Sequence, residues 1–192
     1  MREELISFAT QIQELSSISK EEIIKFQDYF KVKKISKGEH FIRKGKTCKE
    51  IAFINQGVFR IYRIKNGEEL NTCFCMENDV MSSFESFVNQ VPTLDYIQAL
   101  EDSQLVTLSH SDFMRLVESN PKWNSLRISL TDQECMRLAN RANTLSFETA
   151  LEKYQNLLIQ EPHIIQRVSS LHIASYLGIK RETLSRIRGQ IK

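Results

Sequence analysis

The 192-residue chain is long enough for one large or two small domains with real cores, and its 41% hydrophobic content is that of an ordinary globular protein rather than a disordered one. Its apolar runs are too short to span a bilayer, and the acidic opening MREELISFATQIQEL lacks the apolar core of a signal peptide, so the cytosol is the expected compartment. The formal net charge of +2 selects no partner by itself, but residues 163–192 hold six basic and one acidic side chain, which leaves the rest of the chain mildly acidic.

Residues 3–15 and 20–30 are expected to be helical. Ser19 followed by Glu22 is a capping-box pattern, and Ile23, Ile24, Phe26, Tyr29 and Phe30 follow at helical spacing. From 31 to 108 short β-rich runs take over: HFIR, EIAFIN, VFRIYRIK, LNTCFCM, LDYIQAL and QLVTLS, separated by turns at Gly38, Gly45, Gly57 and Asn66-Gly67. Asn66-Gly67 predicts a type I′ hairpin, because that turn needs positive φ at both central residues. The regular spacing suggests a roll or jelly-roll barrel. Arg60 and Arg63 interrupt FRIYRI, which is read as one wet strand face.

Helices return after 110. Ser111 is the expected cap of DFMRLVES, and Asn120-Pro121 is a cap followed by proline at the first helical position. A long helix to about 145 follows. Along it Ile128, Thr131, Cys135, Leu138, Ala142 and Leu145 recur at alternating spacings of three and four, a coiled-coil-like seam over about three heptads. A helix packed on its own domain would also carry an apolar stripe; a dimer helix is the favoured reading. Ser146 is the expected cap of a further helix through about 160, ended by Glu161-Pro162.

Residues 169–188, SSLHIASYLGIKRETLSRIR, read as two short helices around a tight turn. Ala174 allows close helix approach, and Gly178 suits a turn with positive φ. Ile173, Leu177, Ile179, Leu184 and Ile187 are spaced to point inward, leaving Arg181, Glu182, Ser185, Arg186 and Arg188 outside. An apolar-backed helix with outward arginines after a glycine turn is a helix-turn-helix pattern for reading a major groove.

The cysteines are Cys48, Cys73, Cys75 and Cys135, without a C-x-x-C pair, and the histidines at 40, 110, 163 and 172 do not cluster with them. Reduced, structural cysteines are expected, with no metal site. Cys73 and Cys75 would share one face of a strand.

A strand roll, a long helix and then IASYLGIKRETLSRIR resembles the Crp–Fnr family of bacterial transcription regulators. The resemblance covers essentially the whole chain, is strongest over 146–188, and over 31–108 rests on the pattern of glycine turns. It implies an α+β fold. A β-roll (jelly-roll, cyclic-nucleotide-binding-like) sensor flanked by helices would occupy 1–119, a dimerisation helix 120–145, and a helix-turn-helix (winged-helix-like) DNA-binding domain 146–192. It further implies a homodimer on a palindromic double-stranded operator, RNA polymerase as a partner, no membrane association and no enzymatic activity.

In the family an R-E-T-x-S-R-like run forms the recognition helix, matched here by Arg181-Glu182-Thr183-Leu184-Ser185-Arg186. Arginine can fork onto guanine O6 and N7, and a carboxylate can accept from cytosine N4. Arg181 and Glu182 fall in the first turn, which enters a groove deepest. Arg186 can pair with Glu182 at i,i+4. Lys180, Thr183, Ser185 and Arg188 suit phosphates, as do the amides near Ser169 and Ser170. Lys180 departs from the Ser or Thr that the family usually places before the Arg-Glu pair, which removes a helix cap.

Family members that bind cyclic AMP carry a Gly-Glu pair and then an Arg-Ser pair. Here the matching stretch, Ser82–Asp95, contains neither Gly nor Arg. The Arg-Ser pair falls on Thr93-Leu94, give or take a residue; Glu85, beside Phe84, stands nearest the ribose glutamate in an uncertain register. No Lys or Arg occurs from 66 to 114, while nine Asp or Glu do. A buried phosphate without a positive partner is costly, so no cyclic nucleotide is expected; no cofactor is assigned, and the roll is left to bind another small molecule or nothing. Two other functions compete: a signalling protein whose tail binds protein, and a cupin-type enzyme, which would need a His/Glu metal cluster on the roll.

Overall fold

The computed structural model describes residues 4–191; residues 1–3 and 192, at the ends of the first and last expected segments, lie outside the described residues. The chain begins with α1 (Glu4–Leu15) and α2 (Lys20–Lys25), the latter closed by the expected Ser19/Glu22 capping box. Eight strands follow: β1 (Phe30–Ile35), β2 (His40–Ile42), β3 (Glu50–Gln56), β4 (Phe59–Lys65), β5 (Glu68–Cys75), β6 (Val80–Met81), β7 (Tyr96–Ala99) and β8 (Ser103–Ser109), with α3 (Phe84–Asn89) between β6 and β7. Six helices complete the chain: α4 (His110–Ser119), α5 (Pro121–Phe147), α6 (Ala150–Gln160), α7 (Pro162–Arg167), α8 (Ser170–Leu177) and α9 (Arg181–Gln190).

The strands form two antiparallel four-stranded sheets, ordered β1-β8-β3-β6 and β2-β7-β4-β5. They make a two-layer roll and not a closed barrel. Asn66 and Gly67 have φ of 53° and 82°, as the I′ hairpin between β4 and β5 requires. No strand follows Ser109 among the described residues, so the C-terminal unit consists of helices without the β-hairpin of a winged helix. No helix among the described residues is long and apolar enough to cross a membrane.

The expected helix over 20–30 stops at Lys25, and after a 3-10 turn (Gln27–Tyr29) the chain enters β1 at Phe30. Sheet pairing overrides helical spacing here: Phe30 pairs with Leu108, and its ring packs 4.7 Å from Phe8 and stacks 6.2 Å from Trp123. Helix α4 is capped by Ser109 and not Ser111, because β8 passes into the helix with no residue between them. Helix α5, capped by Asn120 with Pro121 at its start, runs two residues beyond its expected end. Ser146 therefore lies inside it, and Thr149 with Glu152 forms the capping box of α6. Pro162 ends α6 as expected but also opens the short α7.

Two cores result. One fills the roll and the space under α1, α2, α4 and the start of α5; Trp123 and Leu126 are the buried residues that anchor the long helix there. The other gathers Tyr154, Leu157, Ile164, Val168, Ile173, Ala174, Leu177, Leu184 and Ile187 from α6 to α9, together with Val58 and Phe74 of the roll.

Trp123 is fully buried, and its Nε1 has no hydrogen-bond partner among the described residues. Trp123→Ala should cost about 3–5 kcal/mol in denaturant unfolding. Trp123→Phe, which keeps the ring contacts and removes the orphan donor, should cost much less.

Candidate nucleic-acid interface and sensor cleft

The C-terminal turn is built as its sequence dictates. Ser169 caps α8 by accepting from the His172 amide. Gly178 ends α8 in the left-handed region at φ 68°, and the Ile179 amide donates back to the Ala174 carbonyl at 3.0 Å, the long bond of a Schellman turn. Lys180 then occupies the cap position of α9 without a side-chain cap bond, as its departure from Ser or Thr predicts. On α9, Leu184 and Ile187 are buried in the second core, while Arg181, Glu182, Ser185 and Arg186 are exposed.

Two details differ from expectation. No ion pair joins Glu182 to Arg186 among the described residues, so the two side chains are free to approach a ligand separately. Arg188 is half-buried: its Nε donates to the Tyr154 hydroxyl at 3.1 Å and its Nη1 to Ser170 Oγ at 2.7 Å. Those two side chains brace α9 against α6 and α8. Lys180 and Ser169 are exposed, and Thr183 is partly covered.

The seam of α5 also has a definite place. Ile128, Leu138 and Leu145 are 46%, 51% and 46% exposed, and Cys135 and Ala142 share that uncovered surface. Thr131 turns partly toward the roll. The other side of the helix meets the body of the protein. Arg137 forks onto Glu134 through two bonds of 2.7 Å. Arg141 lies 4.1 Å over the Tyr176 ring and donates to the Tyr176 carbonyl. Burial pushes the Tyr176 hydroxyl up to about 12, against the opposing charge of Arg141.

Between α5 and the roll lies a cleft of about 960 Å³. Ile61, Cys73 and Cys75 of the β4–β5 sheet, Phe84 and Phe87 of α3, and Leu130, Glu134 and Arg137 of α5 line it. Of the four pocket residues expected from sequence, only Phe84 does so. Glu85 and Leu94 face outward, and Thr93 is buried against its neighbours. Thr93 Oγ1 lies 2.6 Å from Ser83 Oγ, which donates to Asp95 at 2.8 Å; Asp95 in turn pairs with Arg63 at 2.6 Å. The stretch expected to match the cyclic-AMP motif thus places a hydroxyl backed by a carboxylate at Thr93.

Arg60, read from sequence as marking a wet strand face, is only 4% exposed. It points away from the cleft, toward α8. It bonds Gln98 at 2.9 and 2.7 Å and Glu69 at 2.6 Å, lies 3.2 Å from His172 Nδ1, and sits 4.0 Å over the Tyr62 ring. Nearby, Ser175 Oγ donates to the Glu69 carbonyl and accepts from the Asn71 amide. Arg167 at the end of α7 forks onto Glu77 at 2.7 and 2.8 Å, holding that carboxyl down at about 2. Helix α8 is thus docked on the β4–β5 hairpin. Sequence spacing could not reveal this surface, since its partners lie about a hundred residues apart.

Residues 32–120 match the family model for the cyclic nucleotide-binding domain. No curated protein matches the chain. Among solved structures, FixK2 from Bradyrhizobium japonicum superposes with a TM-score of 0.74 at 17% identity, over 84% of each chain. CLP, the c-di-GMP responsive global regulator of Xanthomonas campestris, gives 0.70 at 17% identity over 88% of this chain and 89% of its own. The catabolite activator protein of Thermus thermophilus gives 0.58 at 19% identity over 91% and 84%.

Burial lowers the His172 pKa from its ordinary 6.5, and the Arg60 charge lowers it further, with Glu69 opposing. The unfolded chain therefore binds a proton near pH 6.5 that the docked His172 refuses, so this site destabilises the fold as pH falls through that value. His40 is lowered in the same direction. The loss of stability between pH 7.5 and 5 should be smaller in His172→Gln than in the parent; equal losses would show that His172 stays unstrained beside Arg60.

Residues 32–120 thus resemble the cyclic nucleotide-binding domain, and over most of its length the chain shares the fold of FixK2 and CLP.

Proposed function

We propose that this protein is a homodimeric, sequence-specific DNA-binding transcription regulator whose roll does not use cyclic AMP. One observation carries the reading: α9 buries Leu184 and Ile187 while its first turns present Arg181, Glu182 and Arg186 outward. A helix held from behind by a core and offering two guanidinium forks around a carboxylate is chemically equipped for guanine and cytosine edges. A protein-binding tail has no need of that arrangement. Lys180, Thr183, Ser185 and Ser169 flank the readers and suit phosphates. RNA polymerase as a further partner rests on the family resemblance alone.

Dimerisation is supported by α5. Beyond Leu126 the helix has no buried residue, yet it keeps an apolar stripe every three and four residues. A second copy of the same stripe would cover it in a two-fold arrangement, which a palindromic operator matches. The division of labour that follows assigns 1–119 to sensing, the long helix to pairing and the chain from 146 to DNA. Against cyclic AMP stand Thr93 in place of the motif arginine, Asp95 behind it, and the engagement of Arg60 and Arg63 elsewhere.

Selection of bound sequences from a random DNA pool tests the reading; two half-sites about one helical turn apart are expected. On the selected site Arg181→Ala should cost about 1–3 kcal/mol and relax base preference, while Lys180→Ala should weaken all sequences alike and flatten the salt dependence. Normal, equally selective binding by Arg181→Ala would remove the assignment of readout.

Cys135 reports on pairing. Lying on the seam, it should meet its symmetry mate, so mild oxidation should give a covalent dimer on non-reducing gels. Cys135→Ser should abolish the crosslink, and Leu138→Glu should leave a monomer by light scattering.

A further inference from the structure

Strand β5 carries two thiols that the proposed function leaves without a role. Cys73 and Cys75 point to the same side, both line the cleft, and their sulfurs lie 3.8 Å apart. Phe74, between them, points the opposite way: it belongs to the core of α6–α9, with its ring 5.1 Å from Tyr176 of α8. The strand is irregular at this point, since its pairing with β4 slips between Ile61 and Tyr62 and leaves Thr72 as the extra residue beside Cys73. A chemical change at the two sulfurs thus occurs on the strand that reaches directly into the helix-turn-helix core.

We propose that Cys73 and Cys75 form a reactive dithiol site that a hydroperoxide entering the cleft oxidises to a disulfide, and that this shifts the helix-turn-helix unit through Phe74. The consequence for DNA rests on the regulator reading above; the chemistry does not.

The two thiols are unequal. The hydrogen bond from Cys75 and then the charge of Arg137 lower the Cys73 pKa, against burial; the same bond and burial push Cys75 well up. The nearby Arg137 favours a thiolate at this pair of sulfurs; one sulfur attacks and the other resolves, with Cys73 taken as the attacker. The Cys73 sulfur attacks the outer peroxide oxygen and the O–O bond breaks. The alkoxide or hydroxide that leaves takes a proton, and Cys73 becomes a sulfenic acid. The Cys75 sulfur then attacks the Cys73 sulfur, the S–S bond forms, and the sulfenic oxygen departs as water with the Cys75 proton. Two electrons pass from the two thiols to the peroxide, which ends as an alcohol or water plus one further water.

Closure requires the strand to bend. Residues two apart on a strand have Cα atoms roughly 6.5 Å apart, at the upper end of the range that disulfides span, and their Cβ atoms stand about as far apart, so β5 must buckle to bring them within the roughly 3.5–4.5 Å that the bond needs. Drawing the sulfurs from 3.8 Å to about 2.05 Å pulls the flanking residues together across Phe74. Cys48 lacks this setting: it is buried with its thiol directed to the Glu50 carbonyl and near Ser82, and has no second sulfur beside it.

The test uses the full chain carrying Cys135→Ser, so that the seam thiol cannot interfere. Folded protein is treated with hydrogen peroxide or tert-butyl hydroperoxide, alkylated and digested. The peptide holding Cys73 and Cys75 should lose two hydrogens and resist alkylation, and dithiothreitol should reverse both. Cys75→Ser should stop at a sulfenic acid that dimedone traps, and Cys73→Ser should be inert. Oxidation should change hydrogen exchange along α8 and shift operator affinity by about fivefold or more. Thiols that stay alkylatable after treatment overturn the proposal, as does a disulfide that leaves α8 exchange unchanged. A protein that binds no DNA in either redox state would overturn the regulator reading instead, with the thiol and exchange readouts still deciding this one.

Discussion

The constraint on which the structure turns is the alternation of strand β5. Successive side chains of a strand point to opposite faces, and in β5 those faces belong to different cores. Cys73 and Cys75 close the roll beneath the cleft, while Phe74, with Val58 from the start of the neighbouring strand, completes the core of α6–α9. The core of α6–α9 is not whole without these roll residues, whereas the roll's own core draws only on residues up to the start of α5. The roll and the α6–α9 unit therefore share packed surface, and close packing transmits displacement instead of absorbing it. A one-residue slip of β5 would exchange the thiols with the phenyl ring and disorder both cores at once.

Charge is distributed to reinforce that junction at the expense of the cleft. The roll's one buried arginine, Arg60, is turned to α8, where Glu69, Gln98, Tyr62 and His172 surround it. A buried guanidinium is tolerable only when its donors are matched, and here the match spans two units of the chain. The cleft's guanidinium groups come from the long helix: Arg137, already neutralised by Glu134, and Arg127, bonded to Asn124. A phosphate that reached Arg137 would have to displace Glu134, in a cleft also lined by Asp79, whose carboxyl burial drives toward its neutral form.

The sequence exposed most of the output end, because its signals are local. Gly178 after an apolar helix, Lys180 where a cap belongs, and the spacing of Leu184 and Ile187 are read within twenty residues, and each has the geometry its residue type requires. The Asn66-Gly67 turn is legible for the same reason. What was hidden depends on partners distant in the chain. Phe30 looks helical beside Phe26 and Tyr29, and only pairing with Leu108 makes it a strand. Arg60 looks like a solvated residue until α8, more than a hundred positions later, is laid over it. Ser146 and Thr149 both offer a hydroxyl; the choice falls to Thr149 because Glu152 completes its capping box.

The long helix gives these parts a common frame. One side of α5 is the exposed seam of Ile128, Leu138 and Leu145; another presents Leu130, Glu134 and Arg137 to the cleft; and Arg141 reaches Tyr176, against which Phe74 packs. Only Trp123 and Leu126, at its first turns, are buried, so the helix is fixed at one end and held elsewhere by surface contacts. An element anchored at one end can pivot at modest cost. A change in the cleft, a partner on the seam and the position of α8 then act on the same rigid body. In thermodynamic terms they are linked: whatever the cleft does to the placement of α8, a ligand of α9 must do in reverse to the cleft. If α9 holds DNA and oxidation at Cys73 displaces α8, as proposed, each must affect the other to the same degree.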